Sequence, residues 1–258
     1  MEPKKVTLKY KVIAFFVWLF SPKYKTMGTE NLTEEPALIV GNHCQMYGPI
    51  ACEFHLPFHR YTWCAGQMMK LKEVPEYAFQ DFWSFKPKKI QWFFRLASYL
   101  IAPLSVCLFN NANTIPVYRD TRIVTTFKET IRKLQDGVSV VVFPEHNVKN
   151  NNIIYEFEDK FIDIAKLYYK KTGKALQFVP LYIAPKLKQM HLCKPIQFDP
   201  NAPIEEERKR ISAYLMETIS KTARTLPSHT VIPYRNIPKK DYPTNTQIEV
   251  SANEKACR

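Results

Sequence analysis

Apolar residues fall along this chain in two rhythms. The first is the short unbroken run: "ALIVGN" (37–42), "VSVVVFP" (138–144) and "LQFVPLYIA" (176–184). None alternates with polar residues, and all are rich in branched aliphatics, as expected of strands buried on both faces of a parallel sheet. Pro180 lies inside the third run and should make its pairing irregular. "RYTWCA" (60–65) and "TIPVY" (114–118) read as weaker strands, and "MHLCKPIQF" (190–198) as an edge strand. The second rhythm is helical. Residues 121–137 and 155–173 carry apolar positions at helical spacing and close on Gly137 and Gly173, while residues 204–226 open with glutamates that suit a helix N-terminus. Strands alternating with helices predict an α/β fold, a mainly parallel central sheet flanked by helices.

Two stretches stand outside that alternation. In "VTLKYKVIAFFVWLF" (6–20) only residues 12–20 form an unbroken uncharged run. Even the whole segment as a helix would be roughly 22 Å long, short of a hydrocarbon core of about 30 Å. Lysines flank it on both sides, and no small-x-small cleavage site follows Phe20. Residues 1–24 are therefore expected to form an amphipathic helix lying in a membrane interface, the alternative being a helix docked on its own domain. The other stretch, "LASYLIAPLSVCLF" (96–109), is uncharged and contains Pro103, which should break or kink a helix. A hydrophobic hairpin against lipid and a buried helix both fit it. Residues 25–232 then form the α/β domain. Residues 233–258 read as a polar, proline-rich tail, partly disordered.

Composition narrows the function classes. Hydrophobic residues make up 46% of the 258-residue chain, enough for a sizeable core. The net charge of +13 calls for a polyanionic partner. The basic residues form no nucleic-acid-binding motif, so an anionic membrane surface or a phosphorylated substrate is expected rather than nucleic acid. Six scattered cysteines without a CxxC pair offer neither a zinc spacing nor a disulfide framework, and fit a reduced, cytoplasmic setting. The six glycines form no GxGxxG and no P-loop, so no nucleotide cofactor is expected.

In parallel sheets ligands gather at the carboxyl ends of the strands. Three such ends carry reactive side chains: Asn42-His43, then Arg119-Asp120, then Glu145, His146 and Lys149. A base, a guanidinium and a carboxylate with a lysine would converge on one mouth. Cys44 as a nucleophile beside His43 is a weaker alternative, because adjacent side chains rarely face each other. A metal site built from His43, Glu145 and His146 is equally weak.

The order of these blocks resembles the glycerolipid acyltransferase family, whose best-known members are lysophosphatidic acid acyltransferases. "MGTENLTEEPALIVGNH" is similar to the family's approach to its Asn-His block, "TIPVYR" to the block ending in arginine, "FPEH" to Phe-Pro-Glu-Gly, and "FVPLYIA" to the strand carrying Val-Pro. The resemblance spans roughly residues 27–184. It implies that His43 takes a proton from an acceptor hydroxyl, which attacks an acyl thioester on CoA or acyl carrier protein. Arg119, Glu145, His146 and Lys149 would position a lyso-lipid or glycerol-phosphate headgroup. With the basic, apolar N-terminal segment and the unpaired cysteines, the expected place is the cytoplasmic face of the cell membrane, peripheral or monotopic, and no metal is expected. The chain departs from the family where the usual aspartate four residues past the histidine is Gly48, and where the glycine after Phe-Pro-Glu is His146. Gly48-Pro49 resembles an N-cap and first helical position, which would put Glu53 one turn along the same helix face. Glu53, Glu145, Asp120 or a backbone carbonyl could then orient His43. A catalytically weak, lipid-binding relative is the alternative function.

Overall fold

The computed structural model describes residues 6–150, 152–235 and 237–246. Its centre is strand β2, Ala37–Gly41, all five residues buried. Seven strands run in the order β1-β7-β6-β2-β5-β3-β4, with β8 paired to β6. Besides β2 the strands are β1 (Lys25–Met27), β3 (Arg60–Ala65), β4 (Thr114–Val117), β5 (Ser139–Val142), β6 (Gln177–Ala184), β7 (Gln189–Leu192) and β8 (Ile196–Gln197). β2 pairs in parallel with β5 on one side and β6 on the other, so the unalternating apolar runs occupy the middle of the sheet. Among the named strands of the described residues, the pairings of β6 with β7 and β8 are antiparallel. The protein is an α/β fold with a mainly parallel sheet.

Helices cover both faces. Leu38 and Val40 point to a core shared with α5 (Ile123–Gln135), α6 (Asp163–Thr172) and α7 (Ile204–Thr225), while Ile39 points to the opposite core with α2 (Tyr47–His55) and β7. That split is the two-residue side-chain period of a strand. The ladder survives Pro180, whose carbonyl accepts from Cys193 N at 2.8 Å.

Several elements differ from expectation, each for a local reason. The expected edge strand 190–198 is two strands interrupted at Lys194-Pro195, and β7 is not an edge, since β1 pairs with it in parallel. Three-residue β1 is too short to leave a periodic signal. The helix expected from residue 155 begins at Asp163. Before it, Glu156 and Glu158 hydrogen-bond back to His146 and Pro144, fixing the loop after β5. The stretch 96–109 is neither a hairpin nor a buried helix. It lies within one unbroken helix, α4 (Gln91–Asn111), that runs through Pro103 and buries only Ser98, Ala102 and Ser105. Residues Lys88–Asn111 are long and apolar enough to cross a membrane by length and composition. Helix α1 (Leu8–Phe20) packs on α4 with a half-buried stripe of Tyr10, Ile13, Ala14 and Val17. Its outer face is apolar as well, with Phe20 at 82% exposure. Lysines sit at its first turns and past its end, so the polar long face of an amphipathic helix is missing.

The chain does not leave the domain near residue 232. Asn245, fully buried, donates to the carbonyls of Ala223 (2.8 Å), Leu226 (3.0 Å) and Pro227 (3.3 Å), and its Oδ1 accepts from His229 N at 2.8 Å. These carbonyls close α7, which ends without a glycine and would otherwise leave acceptors unmet. His229 is fixed in turn by Tyr182 OH at 2.7 Å and Pro227 O at 2.7 Å. The expected disorder falls on residues 247–258, outside the described residues. Asn245→Ala would leave buried backbone groups unmet and should cost about 2–3 kcal/mol. Thermal melts should show it, with hydrogen exchange accelerated across 229–246; unchanged exchange there would mean that Asn245 does not hold the segment.

Candidate active site

The site forms where β2 ends. Asn42, almost fully buried, replaces a rung of the ladder with its side chain: Nδ2 donates to Ile183 O at 3.0 Å and Oδ1 accepts from Ile183 N at 2.7 Å. Cys44 and Gln45 then both take left-handed backbone conformations, φ +50° and +56°. This costs roughly 1–2 kcal/mol per residue outside glycine and asparagine. The side chains of both are pinned. Asn42 Nδ2 donates to Cys44 Sγ at 2.8 Å, and Gln45 Nε2 donates to Tyr242 OH at 3.0 Å. Gly48 N donates to His43 O at 3.2 Å, closing the turn. Helix α2 starts two residues earlier than expected, with Met46 rather than Gly48 at its N-cap.

That closure explains the glycine. A Cβ on Gly48 would lie 2.3 Å from His43 O and 3.0 Å from its carbonyl carbon. An aspartate at that position therefore needs a more open turn than this one.

His43 Nδ1 sits 2.7 Å from Gln45 O. A carbonyl only accepts, so the proton is on Nδ1 and the Nε2 lone pair is left for other use. The ring stacks on Tyr234, centroids 4.4 Å apart, and tilts against Phe143 at 5.1 Å. Burial pushes the imidazole down to about 4, against the upward pull of the Gln45 carbonyl, so it is neutral at physiological pH. Glu145, also buried, takes the His43 backbone N–H on Oε1 at 2.5 Å, and burial raises its carboxyl to about 7. It anchors the histidine's backbone, not its ring.

Glu53 is not joined to His43 by any hydrogen bond among the described residues. Its Oε1 accepts from Tyr10 OH at 3.3 Å and its Oε2 from Arg60 at 3.3 Å, while Arg60 also binds the Glu53 carbonyl. Burial raises its pKa despite Arg60. Asp120 is committed to Arg122, Oδ2 to Nη2 at 2.6 Å. Of the four orienting groups weighed from the sequence, the backbone carbonyl occupies the position.

His43 and Glu53 do share one cavity of about 520 Å³, enclosed by α1, α2, α3 (Val74–Ala78), α4 and β3. Ala14, Val17, Phe54, Trp63, Leu108 and Phe109 make its walls largely apolar. At the His43 end stand Tyr77, Asp81, Tyr234 and Arg235, with Arg235 paired to Asp81 at 3.1 Å. Arg119 is exposed and paired with Glu158 at 3.0 Å, yet close enough to Tyr77, Asp81 and Tyr234 to draw their pKa values down. Burial outweighs it and pushes Tyr77 up to about 12. His146 is partly exposed, held through its backbone N–H on Glu156 O at 3.0 Å, and Lys149 is exposed. Neither lines the cavity. Gln45, Tyr234, Arg235 and Tyr242 were not anticipated. The aromatic-arginine pair in "VIPYRN", directly after an apolar run, was the available signal.

No protein-family model and no curated protein sequence matches this chain. Among solved structures it is similar to the 1-acyl-sn-glycerophosphate (lysophosphatidic acid) acyltransferase PlsC from Thermotoga maritima, at 18% identity and a TM-score of 0.47, over 83% of this chain and 79% of that one.

Glu145 and His43 make opposite contributions to stability against pH. Glu145 titrates near 7 folded against an ordinary 4.5, so its contribution favours folding in acid and is lost as pH rises through that window. His43 titrates near 4 folded against 6.5, so its contribution is lost as pH falls from 6.5 towards 4. Glu145→Gln keeps an acceptor for His43 N–H and removes the first of these. The variant should melt above the parent at about pH 7.5 and match it near pH 4.5. Equal melting temperatures at the higher pH would mean that Glu145 is not buried as a carboxylate.

Proposed function

We propose that this protein is an acyltransferase that moves a fatty acyl group from a thioester, on CoA or acyl carrier protein, to a hydroxyl of a lysophospholipid or glycerol-phosphate-type acceptor. The observation that carries this reading is a neutral His43 with Nδ1 fixed on a carbonyl, lining an apolar cavity. The four sequence blocks shared with glycerolipid acyltransferases support it. In this scheme Nε2 takes the hydroxyl proton as the oxygen attacks the thioester carbonyl. The C–S bond breaks as the new C–O ester bond stands, and the imidazolium returns its proton to the departing thiolate. General-base action of this kind contributes about 10²–10⁴-fold. The acyl chain takes the apolar cavity, and Arg119, with His146 and Lys149 beyond it, faces the acceptor headgroup. Arg119 is suited to a planar, bidentate phosphate contact once it exchanges Glu158 for substrate.

A carbonyl in place of a carboxylate bears on the rate. In a Ser-His-Asp triad, replacing the aspartate by asparagine costs about 10⁴-fold because the tautomer is wrong. Here the tautomer is right and only the charge that would stabilise the imidazolium is missing. The second reading, a lipid-binding relative with little turnover, draws on that missing charge.

Helices α1 and α4 support a location at a membrane surface. Phe15, Phe16, Leu19 and Phe20 on α1 and Trp92, Phe93, Tyr99 and Leu100 on α4 are exposed on helices that touch each other. Lys9, Lys11, Lys23, Lys88 and Lys89 border them. Since α4 packs one stripe on α3, it lies along the domain, and the pair suits in-plane docking among anionic headgroups.

An acyl-thioester assay against a panel of lyso-lipids tests the reaction. His43→Ala should reduce turnover at least about 10²-fold with the fold intact. Wild-type rates in that variant would overturn the mechanism, and an absence of turnover on every acceptor would favour the second reading. For docking, Phe16→Glu combined with Leu100→Glu should lower partitioning onto phosphatidylglycerol-containing vesicles at least about tenfold, since each side chain contributes roughly 1.5–3 kcal/mol on burial. Unchanged flotation with vesicles would reject this face.

A further inference from the structure

No carboxylate among the described residues orients the His43 ring. Gly48 lies against the His43 carbonyl, Glu53 is held by Tyr10 and Arg60, Asp120 by Arg122, and Glu145 by the His43 backbone. The acceptor on Nδ1 is Gln45 O, presented to the ring from a left-handed Gln45 that follows a left-handed Cys44. Two such residues in succession persist only where surrounding contacts hold them. Cys44 is held from within the sheet, by Asn42 and by Ile183 O at 3.5 Å. Among the described residues the Gln45 side chain donates to the hydroxyl of Tyr242, nearly two hundred residues further along the chain.

Tyr242 is itself well placed to hold it. Its ring packs against the core that contains Ile39 and is flanked by Phe143, the residue that tilts against His43. On its C-terminal side Pro243 O accepts from Val231 N at 2.8 Å, and Asn245 ties the segment to α7. The same segment lays Tyr234 on the face of the His43 ring. One strap, described over residues 229–235 and 237–246, therefore meets the histidine at its ring plane and at its hydrogen-bond acceptor.

We propose that this C-terminal strap does for His43 what a carboxylate does in a triad: Tyr242, acting through Gln45, is a positioning residue that fixes the Nδ1–H tautomer, and Tyr234 fixes the ring plane. The catalytic part of this inference rests on His43 serving as the base; the tautomer part does not. Tyr242 touches neither substrate nor reacting atoms in this scheme. Its hydroxyl accepts from Gln45 Nε2, the Gln45 backbone stays left-handed, and the carbonyl stays on Nδ1.

Tyr242→Phe in the full-length protein removes the hydroxyl and keeps the ring. Long-range nitrogen-15 spectra of the histidine side chains should then show His43 moving from a single Nδ1–H tautomer to a mixture. In the acyl-thioester assay kcat should fall roughly five- to tenfold, the loss of about one hydrogen bond, with KM for donor and acceptor changed by less than about twofold. Gln45→Gly supplies a left-handed residue without the side chain, and in that background Tyr242→Phe should have no further effect on tautomer or kcat. A merely structural Tyr242 would lower the melting temperature and leave the tautomer alone. A pure Nδ1–H tautomer in Tyr242→Phe, or equal effects of that substitution with and without Gln45→Gly, overturns the proposal. Should the wild-type protein transfer no acyl group, the spectra still decide it.

Discussion

The end of β2 is clamped from both neighbouring strands, and the chemistry of the site hangs on that clamp. On the β6 side Asn42 grips both backbone groups of Ile183; on the β5 side the Glu145 carboxyl takes the His43 backbone N–H. With those two contacts in place the chain cannot slide, and the following residues must turn back sharply to begin α2. The left-handed pair, the closeness of Gly48 to His43 and the carbonyl on Nδ1 all follow from that turn. Both clamping side chains are buried and polar, so loss of either partner leaves an unmet group in a region of low dielectric.

Charge in the site is arranged by exclusion more than by pairing. Burial keeps His43 neutral and raises Glu145, and the ion pair near the ring, Arg235 with Asp81, sits at the cavity end and not on the imidazole. A neutral base with a free lone pair is ready to accept a proton. An imidazolium formed there would have no directly bonded carboxylate among the described residues and would rely on the Gln45 carbonyl dipole. This is an electrostatic compromise in which readiness before the proton moves is favoured over stabilisation after it.

The central sheet was legible because burial on both faces writes itself into composition. The apolar runs 37–42, 138–144 and 176–184 became β2, β5 and β6, and "RYTWCA" is β3 to the residue. That His43 and Glu145 would meet was legible because strand ends in such sheets face a common mouth. What stayed hidden depends on contacts distant in sequence. Gly48 read as a missing aspartate, whereas its meaning lies in the distance to a carbonyl five residues back. Glu53 shares the cavity but is captured by Arg60 and Tyr10, which no local spacing announces. Residues 233–246 read as a tail because their composition is polar, whereas they are held by contacts distant in sequence, among them one asparagine reaching three carbonyls. Pro103 misled because a helix interrupted by proline in isolation can persist when neighbouring elements hold both halves.

Helix α1 faces two ways. Tyr10, Ala14 and Val17 are part of the cavity wall, and the opposite side of the same helix is the exposed apolar surface beside α4. Whatever fills the cavity touches α1, and so does whatever covers its outer side. If filling the cavity favours one seating of α1, and covering the outer face favours that same seating, each must raise the affinity of the other by an equal factor, because the coupling between two sites on one body is reciprocal. A protein built this way would hold its ligand most tightly where its outer face is already occupied, and would release it more readily in open water.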